Sequence, residues 1–342
     1  MARNVWGNRH EIAARRLRNI LSSHGIANDR ILEQKISDAG PGPQRVDPHI
    51  LTEARIALMQ RGTIVSRPGT GGMPWYHLAV TRPDIVDARF AELSAIHDAA
   101  QHLSALVGQT LEIAILRSLK SQAECDFMGD FPDLDDHDDS IQYSKEEPPA
   151  SLSGRRIPGR RRLDFLLHRS DGGYAGVEAK NVRQWFYPDR EEIRELLLKC
   201  CALDIVPVLI ARRIHYSTFS VLNPCGVILH QTFNQLYPNS ARALVPQLRD
   251  KDLLGFHDIR MIDAQDAAKT HARLDAFFQS SIPSVLPRAR TAFDAYKDLL
   301  SAYANGEYGY TEFAGRVKRR YRGEPEDLPE FEPTDFGAPE EW

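Results

Sequence analysis

Two short stretches of the chain are the most informative about its structure: RLDFLL at residues 162–167 and GVEAKN at residues 176–181. In the first, Asp164 leads an apolar run, and in the second, Glu178 and Lys180 end one. Because residues i and i+2 of a strand face the same way, Glu178 and Lys180 project together. If the two runs form neighbouring strands, two carboxylates and an ammonium group meet at one edge of a sheet. Such a group can hold Mg²⁺ and steer a water molecule onto a phosphate, so the spacing predicts a nuclease.

The segments around this pair predict a mixed sheet flanked by helices. Apolar residues at helical spacing surround Glu112. The predicted elements are, in chain order, helix 104–121, strands 162–168 and 174–180, helix 189–203, strands 204–211 and 226–230, and further helices between 264 and 303. We therefore expect an α/β domain with two adjacent strands, a helix and a further buried strand at its centre.

The first eighty residues predict three helices followed by a β-hairpin. The helices cover 8–24, 27–38 and 49–61, and the strands cover 63–66 and 75–79. Asn28 or Asp29 is positioned to cap the second helix, and Gly62 ends the third. This order of elements resembles a winged-helix domain, in which the third helix often enters the major groove and the wing touches the backbone. The resemblance implies DNA contacts from Arg55, Arg61 and Arg67; the alternative is a protein–protein or purely packing role.

The order of elements over residues 104–235 resembles the PD-(D/E)xK phosphodiesterases, the restriction-endonuclease-like superfamily. In that family a carboxylate on the first helix, an Asp on one strand and an Asp/Glu-x-Lys on the next form the site. The matching residues here are Glu112, Asp164, Glu178 and Lys180. Leu163 stands where the family usually has a proline before the strand Asp.

The roles implied by this resemblance are those of a metal-dependent nuclease. Asp164 and Glu178 would be direct metal ligands together with the backbone carbonyl of Ala179, and Glu112 would complete the shell directly or through water. Lys180 would orient the attacking water and stabilise negative charge on the phosphate. Because oxygen ligands select hard cations, Mg²⁺ is the expected cofactor and Mn²⁺ a working substitute.

Each of these residues also has a plainer interpretation. Glu-x-Lys is a weak signal alone, since both residues are common. Asp164 could begin an exposed strand and pair with a nearby arginine. Glu178 and Lys180 could form a surface ion pair on an edge strand, and Glu112 could lie at the polar edge of an apolar helix. The joint occurrence of all four residues favours the functional interpretation.

Charge is unevenly distributed along the chain. The net charge is −4, but residues 130–147 hold eight acids and one lysine, a local charge of −7, so the remainder sums to +3. Five arginines follow within residues 155–162, and Arg160, Arg161 and Arg162 are candidates for contact with nucleic acid. The alternative is a solvated loop whose acids and arginines neutralise each other. Arg212 and Arg213 are predicted on an exposed rim, where phosphate contact and simple solvation are both open.

Composition excludes several other classes of protein. The chain has 342 residues and no apolar run of 18, so no membrane span is expected. The first residues lack an apolar signal core, and the four cysteines show no zinc spacing, which suits a reducing cytoplasm. We expect a winged-helix-like domain, a connecting helix, a nuclease-like domain, a helical extension and a flexible tail, over 1–82, 83–103, 104–265, 266–320 and 321–342 respectively.

The sequence thus predicts a cytoplasmic, metal-dependent DNA endonuclease acting in defence against foreign DNA or in recombination and repair. The alternative is a non-catalytic winged-helix DNA-binding or interaction protein with a decayed nuclease domain. The sequence does not distinguish DNA from RNA as the substrate. A homodimer would supply the two sites that cutting both strands usually takes, and nothing in the sequence reveals a partner ATPase.

Overall fold

The computed structural model describes residues 2–38, 45–121, 125–135, 139–169 and 173–325. Within these ranges the chain is a mixed α/β protein, which confirms the predicted fold class at that level. None of the described helices combines the length and apolar composition that crossing a membrane requires. The predicted flexible tail, 321–342, lies outside the described residues from residue 326 onwards.

The N-terminal elements follow the predicted order, with one addition. They are α1 (Ala2–His24), β1 (Ala27–Asn28), α2 (Asp29–Leu32) with a π-helical turn (Glu33–Ser37), α3 (Pro48–Gln60), β2 (Ile64–Pro68) and β3 (Pro74–Leu78). The additional strand β1 pairs with β3 and gives an antiparallel sheet of order β1–β3–β2. The Asn28 side chain caps α2 by accepting a hydrogen bond from the Ile31 backbone at 3.0 Å, and Gly62 follows α3 with a φ of +68°, as predicted.

The central sheet has five strands and mixed direction. Its segment comprises α4 (Pro83–His102), α5 (Ser104–Lys120), β4 (Cys125–Met128), β5 (Ser151–Leu152), β6 (Arg155–Arg156), β7 (Phe165–Arg169), β8 (Tyr174–Lys180), α6 (Glu191–Leu203), β9 (Val206–Ala211), α7 (Tyr216–Leu222) and β10 (Ile228–Gln231). The strand order is β10–β9–β8–β7–β4. Strands β4, β7 and β8 pair antiparallel, whereas β8, β9 and β10 pair parallel.

The remaining elements are β11 (Gln235–Tyr237), α8 (Val245–Arg249), β12 (Ile259–Met261), α9 (Ala268–Ala276), a second π-helical turn (Phe277–Ser281), α10 (Ile282–Ala304) and α11 (Tyr310–Tyr321). Strands β11 and β12 form a separate parallel pair.

Both faces of the central sheet are covered by helices. On one face, Leu166 and Leu209 pack in a cluster with apolar side chains of α6, α10 and α11. On the other, Phe165 and Val208 pack with side chains of α5, α9 and the start of α10. Alternate residues of each strand therefore serve opposite clusters, which explains the continuous apolar runs that predicted these strands. The helices of 266–320, predicted as an extension, pack directly on the sheet.

A third apolar cluster belongs to the N-terminal elements and draws in a distant segment. Leu17, Ile50 and Trp75 lie in it together with Leu248 and Phe256. Residues between β11 and β12, which the predicted boundaries assign to the nuclease-like domain, therefore contribute to the core of the N-terminal elements. The predicted boundaries themselves stay predictions.

Candidate active site

The pairing of β7 with β8 brings Asp164 beside Glu178. Phe165 is the register partner of Val177, and the Asp164 backbone N–H donates to the Val177 carbonyl at 3.1 Å. The Asp164 side chain points towards Ala179, the residue after Glu178. Its Oδ2 accepts a hydrogen bond from the Ala179 backbone N–H at 2.8 Å. The stretches at 162–167 and 176–181 therefore lie side by side, with their acids at one position along the sheet.

Glu178 and Lys180 contact each other on the same side of β8. The Lys180 Nζ lies 2.9 Å from Glu178 Oε2. Glu178 is only 3% exposed, so this pair is not the surface ion pair of the plainer interpretation. The other carboxylate oxygen of Glu178 accepts a hydrogen bond from Lys199 of α6, a lysine that is itself buried.

A glycine allows α6 to come this close to β8. A Cβ at Gly176 would lie 2.8 Å from both Cys200 Sγ and Leu163 Cδ1. Such contacts are too short for a side chain, so only glycine lets the helix pack at this depth. The close approach places Lys199, next to Cys200, within reach of Glu178.

Glu112 reaches the same place from α5, and Lys145 connects it to Asp164. The Lys145 Nζ lies 2.6 Å from Glu112 Oε2 and 2.6 Å from Asp164 Oδ1. We name the resulting group the carboxylate–lysine cluster; it comprises Glu112, Lys145, Asp164, Glu178, Lys180 and Lys199. All four residues predicted for the site are brought together in it, and it holds as many ammonium groups as carboxylates.

Lys145 is positioned by the backbone that precedes it. The Gln109 side chain accepts from the Tyr143 backbone N–H at 2.9 Å and donates to the Tyr143 carbonyl at 2.9 Å. Asp133 accepts a hydrogen bond from the Ser144 N–H at 2.9 Å. Because Gln109 lies on α5 almost one turn before Glu112, these bonds hold Lys145 against Glu112.

Burial and mutual repulsion disturb the carboxylates of the cluster. Burial, followed by the charge of Asp164, raises the pKa of Glu112 to about 7. The same two causes raise the pKa of Glu178. Burial acts to lower the pKa of Lys145, but the carboxylates of Asp164 and Glu112 outweigh it and raise that pKa above its usual value. Glu112 and Asp164 thus create a negative potential at the Lys145 ammonium, which favours a cation at that position.

The spacing of the carboxylates differs from the expectation of direct convergence on one cation. Among the described residues, the three acids of the cluster do not form a group with ligand atoms all within 4.8 Å of one another. The lysines are the reason, since Lys145 stands between Glu112 and Asp164. The donor set consists of carboxylate oxygens and fits a hard divalent cation, which would take the place that the Lys145 ammonium holds.

Lys145 and Lys199 were missed by the sequence argument, although each carries a signal. Lys145 is the single cation in the acidic run 130–147. Lys199 follows Ile193 by six residues and Leu196 by three, so it lies on the apolar side of an amphipathic helix. A lysine is expected on such a face only if a buried acid is there to receive it.

The arginines predicted to contact nucleic acid occupy different environments. Arg55 is packed against its neighbours: its Nε lies 3.1 Å from Asp29 Oδ1, its side chain is 12% exposed and its guanidinium covers the Tyr76 ring. A contact with DNA would have to break this packing. Arg67 pairs with Asp87 at 2.7 Å. Arg61 lies exposed at the end of α3.

The arginine-rich stretch lies at the surface, and part of its charge is used within the chain. Arg161 Nε lies 3.3 Å from Glu195 and Arg162 Nε 3.9 Å from Glu147. Arg160 is exposed. The loop that carries these residues thus combines internal pairing with an accessible positive surface, so both interpretations of the stretch retain support.

Arg212 does not lie on an exposed rim as predicted. It is 2% exposed, and its Nη1 lies 2.8 Å from Asp38 and 2.5 Å from Asp258. Arg183 binds the other oxygen of Asp258 at 2.8 Å. We name Asp38, Arg183, Arg212 and Asp258 the arginine network; it joins the N-terminal elements to the ends of β8 and β9.

Comparison of the chain with protein-family models, with curated proteins and with solved structures found no match in any of the three. The chemistry of the site must therefore be argued from its own residues.

Proposed function

We propose that the protein is a metal-dependent nuclease of the PD-(D/E)xK type that hydrolyses phosphodiester bonds in DNA. The observation that carries the proposal is the carboxylate–lysine cluster, in which Glu112, Asp164, Glu178 and Lys180 come from one helix and two paired strands. Glu178 is buried and Glu112 and Asp164 are partly buried beside it. Such a group of acids is costly for stability alone, because each acid loses solvation and repels the others. Such arrangements are typical of functional sites.

The order of elements around the cluster supports the restriction-endonuclease-like interpretation of the fold. Helix α5, the antiparallel pair β7–β8, helix α6 and the parallel strand β9 occur in the order that the resemblance implies, with β4, β5 and β6 between α5 and β7. The site residues lie on α5, just before β7 and at the end of β8.

The roles that we propose for the residues agree with their contacts. When bound, Mg²⁺ or Mn²⁺ would lower the pKa of a ligand water and screen the charge that develops on the phosphate. Asp164 and Glu178 would hold the ion, with the Ala179 carbonyl and Glu112 completing its shell. Asp164 is fixed for this role by the Ala179 N–H. Lys180, held by Glu178 at 2.9 Å, would orient the attacking water, and its ammonium would stabilise a phosphate oxygen.

Lys199 and Glu112 have supporting roles in this scheme. Lys199 binds the second oxygen of Glu178 and so restricts that carboxylate to one orientation. Glu112, with a pKa of about 7, can hold a proton on its carboxylate at neutral pH, and a bound cation would favour its ionised form. We therefore expect metal binding to release protons near neutral pH.

Nuclease assays on several substrates test the proposal. Supercoiled plasmid, single-stranded DNA and RNA are incubated with the full chain and Mg²⁺ or Mn²⁺, with EDTA as control. We expect DNA cleavage that EDTA abolishes and that Lys180→Ala and Glu178→Gln lower at least about 100-fold, as loss of a group that stabilises the transition state does. Lys318→Ala, on the exposed side of α11, is the matched control and should cleave like the wild type.

The outcome that overturns the proposal is equally defined. Absence of cleavage of every substrate, together with no heat of Mg²⁺ binding in calorimetry, would favour the alternative of a non-catalytic DNA-binding protein. Cleavage of RNA alone would keep the chemistry and change the substrate.

A further inference from the structure

Two histidines and an aspartate meet where the N-terminal elements contact the end of β9. Asp47 immediately precedes α3, His49 lies in its first turn, and His215 precedes α7. One potential ligand atom from each lies within 4.8 Å of the other two, and no other group of this kind occurs in the described part of the chain. We name these residues the histidine cluster. None of them belongs to the carboxylate–lysine cluster.

The carboxylate of Asp47 is turned towards His215 and away from its own helix. Asp is among the best residues for capping a helix at its N-terminus, yet the Asp47 side chain makes no capping hydrogen bond to α3. Its Oδ1 lies 3.9 Å from His215 Nε2 and its Oδ2 3.8 Å from Arg9 Nη1. Both distances are longer than a hydrogen bond. The distance between the Asp47 oxygen and the His215 nitrogen is therefore closer to that between two ligand atoms of one ion than to that of a direct hydrogen bond.

The imidazole of His215 is held in one orientation. Its ring stacks on Tyr187 with centroids 4.4 Å apart, and its Nδ1 accepts a hydrogen bond from the Ser217 backbone N–H at 3.2 Å and lies 2.7 Å from the Ser217 hydroxyl. These contacts leave Nε2 facing Asp47. An ion bound at Nε2 requires the tautomer with its proton on Nδ1, which would then donate to the Ser217 hydroxyl.

We propose that Asp47, His49 and His215 form a binding site for a transition-metal ion of the Zn²⁺ class. Two imidazole nitrogens with one carboxylate oxygen are the ligands of zinc and its neighbours, whereas Mg²⁺ and Ca²⁺ prefer oxygen alone. A tetrahedral ion with bonds of about 2.0–2.2 Å places its ligands about 3.3–3.6 Å apart. The donors must therefore approach one another slightly, and the exposed side chain of His49 has the freedom to do so.

The site would join two parts of the chain that are distant in sequence. Asp47 and His49 belong to the segment that leads into α3, and His215 follows β9. Three protein ligands leave a fourth position for water or a further ligand. The consequence for the molecule is a metal-dependent clamp between the N-terminal elements and the central sheet.

Metal titrations of the full chain after EDTA treatment and dialysis test this proposal. Zn²⁺ binding is followed by calorimetry, and Co²⁺ binding by its visible absorption, which reports the number and kind of ligands. We expect one Zn²⁺ per chain with a thermal stabilisation. Binding should weaken at least tenfold in His49→Gln and in His215→Gln, while an excess of Mg²⁺ should not compete.

Two controls separate this site from other sources of binding. His102→Gln removes an exposed histidine at the end of α4 and should bind Zn²⁺ like the wild type. Glu178→Gln should also bind Zn²⁺ at the histidine cluster like the wild type, because Glu178 is not one of its ligands. The zinc proposal is therefore tested independently of the nuclease proposal. Because His215 is largely buried, His49→Gln decides the matter if His215→Gln does not fold. Absence of Zn²⁺ binding to the wild type, or binding unchanged in His49→Gln, overturns the proposal.

Discussion

The carboxylate–lysine cluster and the arginine network both bury acids beside cations, with opposite effects on the acids. In the network, burial acts to raise the pKa of Asp258, but Arg183 and Arg212 outweigh it and lower that pKa far below its usual value. In the cluster, burial and the charge of Asp164 prevail, and the pKa of Glu112 rises to about 7. Buried acids beside cations are therefore stabilised in their ionised form at Asp258 and destabilised in that form at Glu112.

The difference follows from geometry and from the kind of cation. A guanidinium donates several hydrogen bonds from a rigid fork, so Arg183 and Arg212 each satisfy one oxygen of Asp258. An ammonium is a point charge, and Lys145 must serve Glu112 and Asp164 at once. We infer that the network contributes to stability, whereas the cluster holds charge that a ligand can use.

The largest expected effect is the loss of stability in Arg212→Met. Removing Arg212 leaves one buried oxygen of Asp38 and one of Asp258 without their arginine partner, so the free energy of unfolding should fall by about 3–5 kcal/mol. Urea unfolding followed by circular dichroism measures it. Arg61→Met, at an exposed arginine, is the control and should change stability by less than about 0.5 kcal/mol. A loss as small as the control's would mean that the network does not stabilise the fold.

The second expected effect is a gain of stability in Glu112→Gln, and its size depends on pH. Glu112 has a pKa of about 7 in the folded chain against an ordinary value of 4.5. As the pH rises, the unfolded chain therefore loses the Glu112 proton at a lower pH than the folded chain does. The contribution of Glu112 to stability is therefore present below pH 4.5 and is lost as the pH rises to about 7. Glu112→Gln removes that loss and should be more stable than the wild type at pH 8 by up to about 3 kcal/mol, with little difference at pH 4.5.

Urea unfolding of both proteins between pH 4.5 and pH 8 measures this difference. Glu147→Gln, at an exposed acid close in sequence to Lys145, should show no such trend. If Glu112→Gln were less stable than the wild type at pH 8, Glu112 would be as well satisfied as Asp258, and the contrast between the two regions would disappear.

A third effect concerns competition for the acids of the cluster. Lys145 occupies the space between Glu112 and Asp164 that the proposed cation would take. Lys145→Met should therefore bind Mg²⁺ more tightly, by about tenfold or about 1.4 kcal/mol, in isothermal titration calorimetry. Lys120→Met, which removes a surface partner of Asp130, is the control. Weaker Mg²⁺ binding in Lys145→Met would show that the lysine supports the site and does not compete for it.

The smallest expected effect is a difference in DNA binding between variants of an exposed arginine, Arg61, and a packed one, Arg55. Arg61→Ala should weaken DNA binding about two- to fivefold and lower the salt dependence of binding by about one phosphate contact. Arg55→Ala should leave the salt dependence unchanged and lower stability by about 1–2 kcal/mol, because its partner Asp29 stays behind. Fluorescence anisotropy with a duplex at several salt concentrations distinguishes the two. Equal salt slopes for both variants and the wild type would place the DNA elsewhere.

Local patterns were sufficient for the elements and for part of the site. The apolar runs after Asp164 and before Lys180 predicted strands because such runs record burial on both faces of a sheet. The i and i+2 spacing of Glu178 and Lys180 placed their side chains together, and Gly62 marked the end of α3. Each of these inferences depends on residues that are neighbours along the chain.

The other decisive contacts connect residues far apart in sequence, and no local pattern contains them. Lys145 and Lys199 enter the cluster through a loop and a helix whose approach is set by Gln109 and Gly176. Arg212 ends a strand, where a pair of arginines is ordinarily solvated, and only the arrival of Asp38 and Asp258 permits its burial. Spacing along the chain specifies which segments form strands and helices and which acids point the same way, because backbone geometry converts spacing into direction. Which cations meet those acids depends on how separate elements pack, and only the folded arrangement specifies that.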